Sequence, residues 1–583
     1  MSLFSLKDLR NHPRRSAFDV SSKVAFSAKV GELLPVFWSF TMPGDRFSLN
    51  HQHFTRTQPV NTSAYTRVRE YYDWFFVPFH LLWRNAPEVI SQMQRNVQHA
   101  SSITKAIELG SEFPHITCQE VVQSLKQIDG LTGTANKNFF GFNRADLGYK
   151  LIQYLRFGNC NDLDLSTRNY GTSVPKTDTS YNQEYAYNLT MNAFPLLAYK
   201  KFCQDYFRYS QWQDSAPYLW NVDYLDGSDG SLGLPVMSPD DAYWKGNTIF
   251  DLEYCNWNKD MFTGIVPDTQ YGEVSTIDIT LGQTGYTAVL ANAIRKTGVN
   301  PTLNSPVTVN ESQLVSAGVP LNFDVLSLRR GEALQRWKEI SLNTPQNYRA
   351  QIKAHFGVDV GESMSGMSTY IGGSASSLDI SEVVNTNITE TNEANIAGKG
   401  VGTASSRESF TANDWGVVMC IYHSVPLLDY ILTAPAPQLV LTQNTDFPVP
   451  ELDSIGMESL PVSLLTNNPS DLSTTGIPAT STLGYLPRYY AWKTNVDYVL
   501  GAFTTTEKEW VAPITSALMK NMLNGLSSTS FVNHYNFFKV NPAVLNSIFA
   551  ADVDSTWDSD QLLINCAFDV RVVRNLDYSG MPY

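Results

Sequence analysis

Apolar and polar residues alternate most clearly near the two ends of the chain. Between 564 and 573 every second side chain is apolar, and this set consists of Ile564, Cys566, Phe568, Val570 and Val572. A shorter alternation of the same kind covers residues 23–30. Because a period of two places one set of side chains on each face of a β-strand, the sequence predicts half-buried strands near both ends.

Further strands are predicted from composition. Residues 36–40 form an apolar run, and residues 64–79 are rich in aromatic and β-branched side chains, with Pro78 suited to end the strand. The longest uninterrupted apolar run, 417–422, is far shorter than the roughly 20 residues of a membrane-spanning helix. From Trp415 onward we therefore expect strands and turns, and no membrane insertion.

Apolar side chains at three- and four-residue spacing predict five amphipathic helices in the middle of the chain. They cover residues 85–97, 147–158, 194–212, 325–340 and 344–357. Gly158 and Gly357 are suited to end two of these helices, and Pro345 fits the first turn of the last one. We interpret all five as packing helices.

Two segments differ in composition from the rest. Residues 269–322 are rich in Thr, Val, Asn, Gly and Pro, which predicts an inserted, largely β or irregular subdomain. Residues 361–409 carry many Gly, Ser, Asn and Thr and are predicted to form a long surface loop. Strands near both ends, separated by helices and long loops, favour a β-sandwich or barrel whose closing strands are distant in sequence.

The length of 583 residues exceeds the roughly 250–300 that one core holds, so several domains or one heavily decorated domain are expected. A net charge of −14 excludes a protein that is basic all over, but not a local basic patch. With 43% hydrophobic and 17% charged residues, the bulk of the chain is predicted to be ordered. Charged Lys7, Asp8 and Arg10 leave no room for an apolar signal-peptide core, and the six scattered cysteines predict free thiols, so we expect synthesis in a cytoplasm.

No motif of a phosphate-binding loop, a zinc protease or a serine hydrolase is found, and no cofactor is predicted. His51 and His53 would share one face of a strand, as metal ligands can, but no third ligand is evident nearby. An acidic run offers oxygen ligands for calcium, namely Asp552, Asp554, Asp558 and Asp560. It lacks the central glycine and closing glutamate of an EF-hand, so we favour a solvated acidic loop over a metal site.

Two groups of cations are candidates for contact with nucleic acid. One is a basic amino-terminal arm, residues 1–22, which carries Lys7, Arg10, Arg14 and Arg15. The other consists of Arg56, Arg67 and Arg69, which lie among aromatic residues. Cations interleaved with rings can hold phosphates and stack on unpaired bases without reading their sequence. Alternatively, the three arginines pair with Glu70 and Asp73 while the rings pack in the core.

Nine blocks of sequence, spread over nearly the whole chain, carry a family resemblance. They are FSAKVGELLPVFW at 26–38, MPGDRFSLN at 42–50, FTRTQPVNTSAYTRVREYYDWFFVPFHLLW at 54–83, NAFPLLAYKKFCQDYFRYSQW at 192–212, CNWNKDMFTGIVP at 255–267, LRRGEALQRWKE at 328–339, IKAHFGV at 352–358, YLPRYYAWKTNVDYVLGAF at 485–503 and FDVRVVRNLDYSGMPY at 568–583. In this order they resemble the major capsid proteins of gokushovirus-like microviruses, small bacteriophages with circular single-stranded DNA.

The resemblance implies a mainly β fold, a viral jelly roll of eight antiparallel strands with long insertions, spanning residues 23–583. It implies a structural protein without catalytic activity, whose copies close a small icosahedral shell, one chain per asymmetric unit, around the DNA. Further implied partners are a small basic DNA-packaging protein, a minor or pilot protein, and a host receptor met by a protruding insertion, which we place at 269–322. The chain would be part of the virion and be assembled in the bacterial cytoplasm, with its amino-terminal cations facing the DNA.

Two other classes of protein stay open at this point. A β-sandwich that binds or cleaves carbohydrate would need exposed rings as sugar platforms, and the candidates are Trp212, Trp220, Trp244 and Trp257. Such a protein would normally carry a signal peptide. A spike or fibre protein would form a trimer rather than a closed shell.

Overall fold

The computed structural model of the chain describes residues 15–61, 64–91, 113–158, 189–225, 231–235, 242–272, 325–383, 397–431, 434–468, 477–478, 480–524, 536–576 and 578. The strands of these parts are β1 (Ser16–Asp19), β2 (Ser22–Ala28), β3 (Leu34–Thr41), β4 (Arg46–Thr57), β5 (Val68–Pro78), β6 (His115–Thr117), β7 (Thr190–Asn192), β8 (Thr369–Val383), β9 (Ala397–Thr411), β10 (Gly416–Pro426), β11 (Asp429–Tyr430), β12 (Met457–Pro461), β13 (Thr482–Pro487), β14 (Pro513–Ile514) and β15 (Leu562–Arg574). The α-helices are α1 (Phe79–Leu82), α2 (Ala86–Ser91), α3 (Cys118–Asp129), α4 (Arg144–Tyr154), α5 (Phe194–Phe202), α6 (Ala242–Lys245), α7 (Val325–Asn343), α8 (Tyr348–Phe356), α9 (Tyr490–Lys493) and α10 (Ser516–Asn524).

Eight of the strands form two antiparallel sheets with the connectivity of a jelly roll. The first sheet has the order β2-β15-β4-β9 and the second has the order β3-β10-β5-β8. The far end of β8 also pairs with β9, which links the two sheets along one side, and β1 extends the first sheet by pairing with β15. Since this order interleaves the first and second halves of the chain in both sheets, it confirms the predicted jelly roll.

The inward-facing side chains of the two sheets form the core of the sandwich. Burial alternates residue by residue along β15 and β4, as the apolar alternation near the carboxyl end predicts. Aromatic rings from the two sheets meet between them: the ring centroids of Phe37 and Phe568 are 5.4 Å apart, and those of Trp74 and Phe568 are 5.8 Å apart. The strands predicted near both ends of the chain are therefore confirmed, and they lie side by side.

The outer faces of the two sheets differ in what covers them. Every residue of β10 is buried, and Phe75 of β5 stacks on Phe202 of α5 with ring centroids 5.2 Å apart. Because α5 packs against this outer face, a strand of the second sheet can be apolar without alternation, as residues 417–422 are. On the first sheet, alternate residues of β4 and β15 point outward, and most of them are exposed, whereas Ser48 and Asn50 are half-buried.

All five predicted helices correspond to helices of the structure, with shifted ends. The first is α2, and residues 92–97 of that prediction lie outside the described residues. The last, α8, begins after Asn347, whose side chain accepts a hydrogen bond from the Ala350 N–H, and ends at Gly357 with φ at 72°. The sequence analysis missed α3, although Thr117 and Glu120 form a reciprocal capping box at its start.

The prediction of a long surface loop at 361–409 is wrong. The long strands β8 and β9 occupy most of this segment and belong to the two sheets of the jelly roll. The sequence analysis missed them because Gly is disfavoured in strands and because clusters of Gly, Ser, Asn and Thr usually indicate a loop. The small size is needed: a Cβ atom added to Gly402 would lie 2.7 Å from Oε2 of the buried Glu70.

The prediction of a free basic arm over residues 1–22 is wrong from residue 16 onward. Ser16 to Asp19 pair with the end of β15, and β2 begins at Ser22. Residues 1–14, with Lys7, Arg10 and Arg14, lie outside the described residues. The four-residue β1 carries no strong alternation, so composition alone did not reveal it.

The chain divides into two compact units, one of which is a single insertion at 268–359. Its described residues include α7 and α8, joined by a hydrogen bond of 3.0 Å between Ser341 Oγ and His355 Nε2. The predicted insertion at 269–322 begins at the same place, but the unit continues to residue 359 because both helices belong to it. Residues 273–324 lie outside the described residues.

Candidate nucleic-acid interface

The exposed outer face of the first sheet carries mostly small polar residues and cations. The outward residues of β4 are Arg46, Ser48, Asn50, Gln52, Phe54 and Arg56, and those of β15 are Leu563, Asn565, Ala567, Asp569 and Arg571. The register places Arg571 opposite Ser48, Arg407 of β9 opposite Asn50, and Lys23 of β2 opposite Ala567. Each of the four jelly-roll strands of this sheet therefore contributes a cation to the same face. We call it the basic face.

Cations outnumber acids on the basic face. Five cations, Lys23, Arg46, Arg56, Arg407 and Arg571, stand against Asp19 and Asp569. Asp569 lies 3.4 Å from Arg571 Nε, an exposed pair that contributes little binding energy. The net charge of the described residues on this face is thus about +3, although the chain as a whole carries −14.

One end of the basic face also offers apolar surface. The guanidinium of Arg56 lies over the ring of Phe54, 5.0 Å from its centroid. Leu563 and Val401 stand opposite Arg56 on the two neighbouring strands and are 43% and 42% exposed. Exposed rings and guanidinium planes are the groups on which unpaired bases stack.

The structure separates the three arginines that the sequence analysis grouped together. Arg56 lies on the basic face, whereas Arg69 lies on β5 of the second sheet and is exposed on its outer side, because the inward positions are those of Val68 and Glu70. Arg67 precedes β5 and is also exposed. The grouping of these three as one site is wrong, because the chain crosses from one sheet to the other between β4 and β5.

The alternative pairing of these arginines with Glu70 and Asp73 is not found either. Glu70 is buried and accepts hydrogen bonds from Thr55 Oγ1 at 2.7 Å and from Tyr422 OH at 2.9 Å. Asp73 accepts a hydrogen bond of 3.0 Å from Tyr370 OH, and burial raises its pKa to about 6. Both carboxyl groups therefore form hydrogen bonds with other residues of the strands and do not pair with the three arginines.

Arg15 is the one residue of the predicted amino-terminal cations that the structure describes. It is exposed, and its Nε donates a hydrogen bond of 2.8 Å to Asn575 Oδ1. The sequence analysis missed Lys23, Arg46, Arg407 and Arg571. The signal for Arg571 was available, since it occupies an outward position of the clearest alternation, but Arg407 lay in the segment interpreted as a loop.

His51 and His53 share the inner face of β4, as their spacing predicts, and are buried in the core. Their rings lie against Tyr72, with centroid distances of 4.7 and 4.5 Å, and their Nε2 atoms lie 2.9 and 3.1 Å from the hydroxyls of Ser374 and Ser376. Burial, followed by the nearby His53, lowers the pKa of His51 to about 4. No group of three or more potential metal ligands occurs in the described part of the chain.

The four aspartates of the acidic run do not converge on a common point. Asp560 is buried and holds Lys29 Nζ at 2.7 Å and Lys150 Nζ at 2.9 Å, while Asp552 and Asp558 are exposed. Although burial raises the pKa of the Asp560 carboxyl, the two ammonium groups lower it overall. The Asp554 carboxylate accepts hydrogen bonds of 2.6 Å from the backbone and hydroxyl of Thr556. Asp560 therefore belongs to a buried ion-pair network, which also contains Glu32 at 2.7 Å from Lys150.

The tryptophans proposed as sugar platforms are not exposed rings. Trp244 and Trp257 are buried in the core. Trp212 is half-buried and donates a hydrogen bond of 2.9 Å to the carbonyl of Ile265, and Trp220 lies beneath the ammonium of Lys201 at 4.2 Å from its ring centroid. These four residues do not support a carbohydrate-binding surface.

Comparison with protein families decides between the remaining classes. The family model described as capsid protein (F protein) matches residues 9–110 and 176–411, more than half of the chain. The chain belongs to this capsid protein family. The predicted resemblance to phage capsid proteins is thereby confirmed, and the chain is a structural component of a virion.

A curated relative supports the same assignment. The chain is 25% identical over 403 residues to capsid protein VP1 of Chlamydia phage 1, and the match covers 65% of this chain and 65% of that relative. The chain thus spans about two thirds of the length of the relative that it matches.

Among the described residues, none of the helices has the length and apolar character needed to cross a membrane.

Proposed function

We propose that this capsid protein is the coat subunit of a small bacteriophage with single-stranded DNA. Copies of the chain assemble into a closed icosahedral shell, with one chain per asymmetric unit, and the basic face lines the interior and contacts the packaged strand. The observation that carries the proposal is the exposed basic face, which gathers five cations on one sheet of an acidic chain. The jelly roll and the family membership supply the shell-forming subunit.

The chemistry of the basic face favours a single strand over a duplex. Its cations are spaced by Asn, Gln and Ser, which donate and accept hydrogen bonds without a fixed pattern, and Phe54 and Arg56 offer planes for stacking. A single strand can lay unstacked bases on such planes, whereas the bases of a duplex are hidden from them. The cations at positions 7, 10, 14 and 15 would add to this contact.

The other proposed partners follow from the family alone. They are a small basic DNA-packaging protein, a minor or pilot protein, and a host receptor contacted by the insertion. The charge of the basic face supports the DNA-packaging protein, because a net charge of about +3 per subunit neutralises only part of the charge of a genome. A separate cation source inside the shell is therefore expected.

The test compares two variants with equal loss of charge. One carries Arg46→Gln, Arg56→Gln, Arg407→Gln and Arg571→Gln on the basic face. The control replaces four exposed cations elsewhere by Gln, namely Arg67, Arg69, Arg84 and Lys137. Particles are purified and their DNA content is measured per unit of coat protein, and the unassembled chains are titrated with a single-stranded oligonucleotide at several salt concentrations.

We expect the basic-face variant to package less DNA while shells of normal size still form. The slope of log K against log salt should fall by about 3, because each phosphate contact on a single strand contributes about 0.7. The control should bind with the wild-type slope. Equal DNA content and equal slopes in both variants would refute the basic face as the genome contact, and a wild-type chain that forms trimers but no shell would favour the spike or fibre class.

A further inference from the structure

Residues 436–455 form an exposed segment that carries large apolar side chains, and we call it the arm. It consists of 3-10 turns at Pro437–Val440, Asn444–Asp446 and Pro450–Ile455. Leu439 is 75% exposed and Phe447 is 51% exposed, and next to the arm Trp492 is 47% exposed. Exposed apolar clusters of this kind mark interaction surfaces on soluble proteins.

The arm is held in one shape although little of it is buried. The Asp446 carboxylate accepts hydrogen bonds from the backbone N–H groups of Thr442 at 2.9 Å and Gln443 at 2.8 Å. The side chain of Gln438 donates to the carbonyl of Ala491 at 3.0 Å, and the ring of Phe447 lies 5.7 Å from that of Trp492. A surface fixed in advance loses less conformational entropy when a partner binds.

A recess separates the arm from the neighbouring segment 488–492. Its volume is about 170 Å³, and its lining includes Leu441, Asp446, Arg488 and Trp492. Pockets for small-molecule ligands usually have about 300–1,000 Å³, so this recess fits one inserted side chain better than a free ligand. Tyr489 beside it has φ at 60°, a strained conformation that tends to occur at binding surfaces.

The charge of the arm indicates what kind of surface it meets. The arm contains no Lys or Arg, and it carries Asp446, Glu451 and Asp453. Asp453 is paired with Lys493 Nζ at 2.6 Å, which leaves Asp446 and Glu451 as its unneutralised charges. A two-fold contact of the arm with itself would bring equal negative charges together, which is unfavourable. A cationic surface elsewhere on a neighbouring subunit, where exposed residues such as Arg156 and Lys508 are available, is complementary.

We propose that the arm, with Trp492, is a head-to-tail contact that inserts against a different, cationic surface of a second copy of this chain. The proposal rests on the proposed function, because the shell supplies the second copy. Contacts around five-fold and three-fold axes are head-to-tail contacts. The arm's 20 residues and its neighbours are comparable to the roughly 20–30 residues on each side of a stable interface.

The test uses the full chain and follows assembly by sedimentation and light scattering. The arm variant carries Leu439→Ser and Phe447→Ser, two side chains that are 75% and 51% exposed. The matched control is Tyr224→Ser, a side chain that is 65% exposed in another part of the chain. We expect the concentration needed for assembly to rise at least tenfold in the arm variant and to stay at the wild-type value in the control, with equal circular dichroism spectra.

A second variant tests the geometry of the contact. In Leu439→Cys, a contact of the arm with itself would yield a disulfide-linked dimer through residue 439 under mild oxidation, whereas the head-to-tail contact yields none. Such a dimer in assembled particles would overturn the inference, as would assembly of the double variant at the wild-type concentration. Loss of the folded chain in the double variant would also overturn it, because the arm would then belong to the subunit's own core. A wild-type chain that stays monomeric at all concentrations refutes the proposed function itself.

Discussion

Inside the sandwich, polar side chains occupy positions that apolar residues normally fill in a jelly-roll core. His51 and His53 lie against Tyr72, and His53 Nε2 is 3.7 Å from the carboxylate of Glu70. His51 Nδ1 has no hydrogen-bond partner among the described residues. A buried imidazole that lacks one partner is held in its neutral form, because the protonated ring would need two acceptors.

This arrangement predicts that His51 makes the folded subunit less stable in mild acid. The pKa of His51 is lowered to about 4 by burial and by His53, whereas an unfolded histidine titrates near 6.5. At this site the unfolded chain therefore binds more protons between these values, and the contribution of His51 to stability falls as the pH falls from about 6.5 toward 4. The raised pKa of Asp73 acts in the opposite sense. At pH 5 the loss through His51 is about 2 kcal/mol. Urea denaturation of the unassembled chain at pH 7.5 and pH 5 measures it.

A histidine variant isolates this contribution. His51→Gln can keep a hydrogen bond to Ser374 but cannot titrate, so the difference in unfolding free energy between the two pH values should shrink by about 2 kcal/mol. The control is His80→Gln, since His80 is exposed and pairs with Asp414 at the surface. An unchanged pH difference in the His51 variant would show that other groups cause the acid sensitivity.

At the scale of elements, the middle strands depend on the absence of side chains. β8 and β9 bring Gly372, Gly373 and Gly402 close to carboxylates of their neighbours, Glu408, Asp73 and Glu70. The Glu70 carboxylate is buried and already accepts two hydrogen bonds. The glycines therefore form strands here because the neighbouring strands leave no space for a Cβ atom.

Substitution of one such glycine should destabilise the sheet. In Gly402→Ala the new methyl group would lie 2.7 Å from Glu70 Oε2 and 3.2 Å from Leu378 Cδ1, so the buried carboxylate must move. We expect a loss of about 1–3 kcal/mol in the free energy of unfolding, the usual cost of overpacking. Gly361→Ala is the control, because no atom lies within 4 Å of its added Cβ. Equal thermal stability of both variants would contradict the argument.

The elements differ in how far the sequence predicts them. β15 and β2 were predictable because each strand buries only one face, so apolar and polar residues alternate along its sequence. β8 and β9 were not, because their residues are selected by a close approach of carboxylates that only the folded sheets bring together. The basic face shares this property: Arg407 and Arg571 are distant in sequence and meet on one face only through the strand order.

At the scale of the whole molecule, the chain separates its surfaces by chemistry. The basic face gathers cations from four strands, whereas residues 408–487 contain none. An acidic chain can therefore approach a polyanion through one face and a neighbouring subunit through another. The net charge of the chain, −14, does not reveal this division, because it is a sum over the basic face and the acidic surfaces together.

The insertion at 268–359 should be separable from shell formation. It forms a compact unit of its own, and the described core of the jelly roll contains no residue from it. We propose that it meets the host. Replacing residues 268–359 with a short Gly/Ser linker should leave shell yield within about twofold, because the unit contributes no side chain to the described core and a change in the length of a connection has a small entropic cost. Adsorption of particles to the host bacterium should be lost. Electron microscopy and an adsorption assay measure the two effects.

The matched control for this deletion replaces residues 369–411 with the same linker. This change removes β8 and β9 from both sheets, so we expect no folded subunit and no shell. If the first deletion also abolishes shells, the insertion contributes to contacts between subunits. If its shells adsorb normally, the receptor contact lies elsewhere, and the surface around the exposed Arg67 and Arg69 becomes the next one to test.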